Sequence, residues 1–458
     1  MNAIFFISVI LKGVGAILEV LLQILITRRL GVDGYGTYST WINAADLIFW
    51  ILFSALTKCN TYYLSTFQSS MTRFKKKYYG CYVLPVLLIG AAACGLAGKG
   101  EYWILLVITG LELRVMDQSS SLLAQNHQMI SLTGEYVLGR LLLVIGFFVL
   151  NGSGMLSPHT LVELYLFQYL VIMIVFAVFR KFCITETKDI SDTVSLRKWG
   201  SYQRADLIQS MIGQMPVLLQ YFFSGAFEAG VVSVVLTVKK LINFISGPTA
   251  KVFLPEFSRL YKNGKREEIG ACYASIMRIQ MLFAGPLSVV LIAYPDVILR
   301  ILDKKLLDYV TLFISCSMVF IFAATLGPCS GVLQMTGNES KDNLLREIAL
   351  GVMFVVMWIF RKDSLFVLYG LCAQALLEEI GKYYYVCRWL EKSPVKVKTY
   401  LSWWICPGAV IVLTYILKKG DSLVWMLIAA GVVFLIGAVS EVRKEGGISS
   451  MMKRGERE

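Results

Sequence analysis

The chain has 458 residues, 57% of them apolar, with a mean hydropathy of +0.65. Only 16% are charged, against roughly 25% in a soluble domain. That is too little charge to keep two or three soluble domains dispersed. A soluble enzyme, a disordered chain and a secreted disulfide scaffold are excluded, and an all-α polytopic membrane protein is expected.

The formal charge is +13. Basic blocks on such a chain orient it in the membrane, and no run of basic residues interleaved with aromatics forms a plausible nucleic-acid face, so no nucleic-acid partner is expected. Among the ten cysteines, Cys59, Cys94, Cys316, Cys372 and Cys406 lie in apolar runs and read as small hydrophobes. No metal-ligand spacing occurs, and His127 and His159 are the only histidines. No metal or cofactor is expected beyond a coupling ion.

At about 20 apolar residues per crossing, the candidate spans are fourteen: 4–26, 38–58, 79–97, 103–123, 132–150, 161–179, 205–223, 231–253, 271–293, 309–332, 343–360, 364–386, 401–417 and 423–441. The first is too long for a cleaved signal peptide, carries Lys12 and Glu19, and has no small-residue cleavage site after it. It is expected to stay in the mature protein.

Connectors on the N-terminal side hold most of the Lys and Arg: Arg73 to Lys77, Arg180, Lys181, Lys188, Arg259 to Arg266, Arg388 to Lys398 and the tail. This bias places both termini in the cytoplasm. The expected organisation is an N-terminal six-helix lobe (1–180), a cytoplasmic connector (181–204) and a C-terminal six-helix lobe (205–390). Two extra spans (391–441) and a cytoplasmic tail (442–458) complete it. Leu21-Leu22-Gln23 followed by Tyr35-Gly36 matches Leu218-Leu219-Gln220 followed by Ala229-Gly230, and Lys58 matches Lys251. A duplicated bundle is expected, as in many transporters.

Charges at membrane depth mark a pathway unless they are paired. In the first span Ser8, Lys12, Glu19 and Gln23 share one helical face over about 22 Å. The second span aligns Asn43, Asp46, Trp50, Ser54 and Thr61, with Lys58 at the edge. The fourth aligns Arg114, Gln118, Ser121 and Gln125 beside Asp117. The eighth aligns Ser233, Thr237, Lys240, Gly247 and Lys251, while Lys239 points elsewhere.

Bland readings stand beside these. Lys12 and Glu19 could pair across to other helices, and Arg114 with Asp117. Lys58 and Lys251 could snorkel to headgroups. Arg278 and Glu378-Glu379-Lys382 read as core salt bridges, and Asp206 as a helix cap.

Lys12, Lys58, Arg114, Lys240 and Lys251 outnumber Glu19, Asp46 and Asp117 along the candidate path. A desolvated, net positive cavity favours an anion such as a diphosphate and disfavours an organic cation. The five cations are the expected substrate-binding residues, and Glu19 and Asp46 the expected sites of H+ or Na+ coupling. Gly13, Gly15, Gly225, Gly230 and Gly247 suit close sliding contacts.

The run Arg28-Arg29-Leu30-Gly31-Val32-Asp33-Gly34-Tyr35-Gly36-Thr37-Tyr38 resembles the R-x-LG-x-x-x-YG-x-Y signature of the polysaccharide flippases. These belong to the multidrug/oligosaccharidyl-lipid/polysaccharide exporter superfamily. Pro255 to Lys265, with Ser258 and Gly264, is similar to that family's P-x-x-S-x-x-x-x-x-G connector. Pro286 and Gly331 to Asn338 also sit where such chains carry a proline and an x-x-Q-x-x-G turn.

The resemblance spans about residues 4–440. It implies two six-helix bundles around a central cavity and a flippase for undecaprenyl-diphosphate-linked oligosaccharide. It also implies cations in the first, second and eighth spans, where Lys12, Lys58 and Lys240 stand. Val232 replaces the usual aromatic, and Met215-Pro216 stands where an acid is common, so the seventh span is given no coupling role.

The expected partners are the lipid-linked oligosaccharide and membrane lipids, with a polysaccharide polymerase and glycosyltransferases acting alongside; a monomer is expected. The nearest rival is an ion-coupled exporter of organic cations in the same superfamily. A membrane glycosyltransferase or polymerase would need a catalytic carboxylate in a sizeable outer loop, and only 294–308 has any length. Unringed charges disfavour a passive channel. No Walker A motif is present, so ATP is not the direct driver.

Overall fold

The computed structural model describes residues 2–60, 71–98, 100–124, 127–183, 196–243, 257, 259–417 and 422–443. Among the described residues there is no strand. Seven stretches are long and apolar enough to cross a membrane on their own, and Met215–Ser224 and Leu423–Val439 are shorter apolar helices. Each of the fourteen expected spans falls mostly on helix where it is described.

In chain order α1 covers Asn2–Leu52, α2 Thr72–Leu96, α3 Trp103–Ala124, α4 Met129–Gly152 and α5 Pro158–Cys183. Then come α6 Leu196–Gly213, α7 Met215–Ser224, α8 Ala226–Ile242, α9 Arg266–Ala293 and α10 Pro295–Leu302. The remainder are α11 Val310–Thr325, α12 Cys329–Met335, α13 Glu339–Ile359, α14 Phe366–Leu390, α15 Val397–Leu417 and α16 Leu423–Arg443.

The first two expected spans form one element bent at Gly31, whose φ of 73° and ψ of 175° lie outside the helical region. A positive φ costs glycine little and any other residue much more. Gly225, between α7 and α8, has φ 108° and ψ −174°. Two helical hairpins therefore turn on the same glycine conformation, with a sequence offset of 194, the separation of the paired Ser39 and Ser233. In this register Gly36 matches Gly230 as expected. Leu21-Leu22-Gln23 and Leu218-Leu219-Gln220 do not match: their offset is three residues out.

The chain divides into two compact units, Met1–Val234 with Leu350–Leu371 and Val235–Ala349 with Cys372–Glu458. Residues 205–234 and 350–371, assigned from sequence to the second lobe, thus lie in the first unit. In it, α6 and α7 pack on α1. Its core includes Phe49, Phe53, Leu56, Tyr78 and Leu113, with Trp199 packed against them. The second unit has a core of Phe257, Ile269, Tyr273, Ile276, Val332 and Val386. Outward-facing Leu84, Leu88 and Ile89 on α2 and Ile405, Val412 and Ile416 on α15 are exposed. Such a surface suits acyl chains as solvent.

A second break in the first unit decides where Lys58 goes. The helix of the second span is interrupted at Phe53-Ser54, which frees backbone groups that need partners. Gln203 of α6 supplies them: its Nε2 donates to the carbonyls of Trp50 at 2.7 Å and Ile51 at 2.5 Å, and its Oε1 accepts from the Ala55 N–H at 3.1 Å. One turn along α6, the buried Asp206 takes Lys58 in an ion pair. Asp206 is therefore an internal counterion within α6, not a helix cap.

Candidate functional site

The polar stripe of the first span meets α4. Lys12 lies with its Nζ 5.4 Å from the centre of the Tyr136 ring. Glu19 accepts an ion pair from Arg140 at 3.7 Å. Between them, a Cβ added at Gly15 would stand 2.7 Å from the Tyr136 carbonyl oxygen, so the two helices nearly touch. Lys12, Gly15 and Glu19 are spaced by 3 and 4 residues, as are Tyr136 and Arg140 by 4, so each set shares a face. Lys12 and Glu19 are thus brought to a common neighbour, and Glu19 makes the cross-helix pair that the bland reading described.

Arg140 was not singled out from the sequence, although a lone arginine at the head of an apolar run was the available signal. Its guanidinium lies within electrostatic range of Glu19, Tyr165, Tyr169 and Tyr38.

The acids of the second and fourth spans converge. Thr109 of α3 donates to the Ala45 carbonyl at 3.3 Å, which seats α3 beside Asp46. One turn on, Glu112 is buried, its Oε2 has no hydrogen-bond partner among the described residues, and Asp46 is its charged neighbour. Tyr165 and Tyr169 of α5, with hydroxyls 3.3 Å apart, lie within electrostatic range of both carboxyls. Glu112 was missed because it lies off the Arg114 stripe of its own span. Its partner is 66 residues away, at a distance in sequence that no helical period reports.

Arg114 and Asp117 do not pair with each other. Arg114 is exposed and stacks on the Tyr79 ring, 4.5 Å from its centre. Asp117 is held by Lys75 at 2.6 Å, by Asn60 Nδ2 at 2.7 Å and by the Tyr79 hydroxyl at 3.1 Å. Lys75 also donates to Ser121 Oγ at 3.0 Å. One lysine of the basic run expected to mark the cytoplasmic side is therefore buried as a counterion, and the pull of Asp117 accounts for it.

In the second unit Lys240 is exposed, and Lys239 turns to a different side, 5.2 Å from the centre of the Phe320 ring, as the spacing predicts. In the offset of 194, Lys240 occupies the position that Asp46 holds in the first hairpin, so the charge is reversed between the repeats. Lys251 and Gly247 lie outside the described residues.

Glu378 and Lys382 form the core salt bridge expected of them, inside a larger network. Lys382 Nζ reaches Glu378 Oε1 at 2.5 Å, Asp342 Oδ1 at 3.0 Å and Ser330 Oγ at 2.7 Å. Arg346 adds Asp342 at 3.4 Å and Glu378 at 3.6 Å. Gln334, the glutamine of the x-x-Q-x-x-G motif, donates to Asp342 Oδ2 at 2.8 Å. That motif therefore ties α12 to α13.

Among the described residues the arrangement contains no nucleophile–base pair; its chemistry is that of paired and stacked ions on apolar helices. Residues 115–311 match a family described as "Polysaccharide biosynthesis protein". No curated protein sequence matches the chain. Among solved structures, one titled lipid II flippase MurJ in an inward closed conformation superposes with a TM-score of 0.69 at 15% identity, covering 94% of this chain and 98% of that one. A crystal structure of a MATE mutant gives 0.53 at 15% identity, covering 84% and 96%. The protein is a multi-pass membrane protein with the fold common to that flippase and to MATE.

Proposed function

We propose that the protein is a flippase carrying undecaprenyl-diphosphate-linked oligosaccharide from the inner to the outer leaflet of the cell membrane. It would do so by alternating access, as a monomer with both termini in the cytoplasm. A diphosphate and its sugars cannot cross hydrocarbon unaided, whereas the polyprenyl tail can remain in lipid. The protein need only offer the head a polar, positively charged route.

Supporting this reading are cations carried on apolar helices, Lys12, Arg114 and Arg140 in the first unit and Lys240 in the second, and a fold shared with a lipid II flippase. Lys58 serves in this scheme through its pair with Asp206, which a phosphate would have to share. Lys251 keeps its sequence-based role. Polymerase and glycosyltransferases act before and after the transfer.

In cells lacking the protein, lipid-linked repeat units should accumulate on the inner face. Lys12→Ala and Lys240→Ala should each lower transfer at least tenfold at normal abundance. Wild-type transfer in both would remove the diphosphate site.

Glu19 and Asp46 are the proposed coupling residues, with Glu112 beside Asp46. The Glu19–Arg140 pair is long, at 3.7 Å, with side chains 34% and 27% exposed, and such partly exposed pairs contribute about 0–1 kcal/mol. Glu19→Gln should therefore leave thermal unfolding unchanged while abolishing the ion dependence of transport. Unaltered ion dependence would clear Glu19 of this role.

A further inference from the structure

We infer that the two glycine hairpins form a symmetric latch, Gly36 and Ser39 against Gly230 and Ser233, which must part for cargo to pass. The contact is reciprocal. A Cβ on Gly36 would overlap the Ala226 carbonyl oxygen, the residue after Gly225. A Cβ on Gly230 would overlap the Val32 carbonyl oxygen, the residue after Gly31. In both cases the obstacle is backbone, which cannot swing aside as a side chain can.

Eight residues beyond each turn glycine, the hydroxyls of Ser39 and Ser233 meet at 2.8 Å, both buried. Each hydroxyl also lies within hydrogen-bond reach of a carbonyl of its own helix, Ser39 of Gly36 and Ser233 of Ala229, so one serine donates across the seam while the other keeps its own carbonyl. The turn glycines, the contact glycines with their backbone obstacles, and the two serines therefore correspond at one offset, which is the pattern of a self-complementary two-fold interface, although Ser39 reaches back three residues and Ser233 four.

The chemistry of the seam differs from that of the long-range ion pairs of the first unit. Lys58–Asp206, Lys75–Asp117 and Glu19–Arg140 are ion pairs. Parting either of the first two would strand a buried carboxylate. The seam offers small residues in backbone contact and one neutral hydroxyl pair. Such a bond contributes about 0.5–1.5 kcal/mol, and the serine that gives it up can donate to the carbonyl of its own helix instead. A closure that recurs in every transport cycle needs this kind of seam. The YG of the R-x-LG-x-x-x-YG-x-Y run then has a physical role, since its glycine is the point of closest approach. This inference rests on the transport reading above.

The test uses the full-length protein in membranes. Ser39→Cys with Ser233→Cys should cross-link under a mild oxidant. Translocation of lipid-linked oligosaccharide should fall at least tenfold and return on reduction, while each single-cysteine variant stays active in the same oxidant. Failure to cross-link, or wild-type transport by the cross-linked protein, would overturn the latch.

A second readout needs no cargo. In Ser39→Cys, adding Gly230→Ala should raise labelling by an impermeant maleimide several-fold above the same background without it. Unchanged labelling would count against the seam even if wild-type protein proved to transport something else. Raised labelling in a protein that moves no lipid-linked glycan would uphold the latch and sink only the cargo.

Discussion

Lys382→Met should lower stability by about 3–5 kcal/mol, the cost of removing one partner from a buried ion pair, and should sharply reduce the amount of folded protein in membranes. Lys382 and Asp342 are both fully buried. Without the ammonium group, Asp342 keeps only Gln334 and the more distant Arg346, and Glu378 keeps Gln374 and Arg346. Two carboxylates would then share one guanidinium.

The cause is open to a direct check by thermal unfolding in detergent. Lys382→Met with Asp342→Leu removes both charges, leaves Arg346 with Glu378, and should recover most of the loss, because the single changes are strongly coupled. Equal damage in the single and double variants would show that packing around the lysine stem, not charge, matters at this site.

Asp117→Leu should have the second-largest effect, again about 3–5 kcal/mol. Asp117 is the acceptor on which Lys75, Asn60 and Tyr79 converge. The substitution strands an ammonium group that is only 11% exposed and leaves an amide short of its acceptor. Lys75→Met should cost less, because the remaining carboxylate keeps two neutral donors. Thermal unfolding of the two variants should rank them in that order, and the reverse order would contradict this account of the network.

The spans were legible because a run of about 20 apolar residues has one stable place. The turn at Gly31 was legible too, since its motif carries glycine where the backbone requires it. Partners were not. Periodicity reports which side chains share a face and says nothing of what that face meets. Asp206 looked like a cap because a sequence cannot show that Lys58 waits 148 residues away. Arg114 and Asp117 looked like a pair because their spacing allows it, yet Lys75 reaches Asp117 from a basic run that composition alone assigns to the cytoplasmic surface. The LLQ match misled for a similar reason: three common residues set a false register, whereas the conformations of Gly31 and Gly225 set the true one.

The reading as a whole is tested most directly by translocation in vesicles containing only this protein. A fluorescent undecaprenyl-diphosphate oligosaccharide placed in one leaflet should appear in the other far faster than in protein-free vesicles, and organic cations should not compete. No acceleration of the lipid-linked glycan, together with ion-driven efflux of an organic cation, would contradict the account.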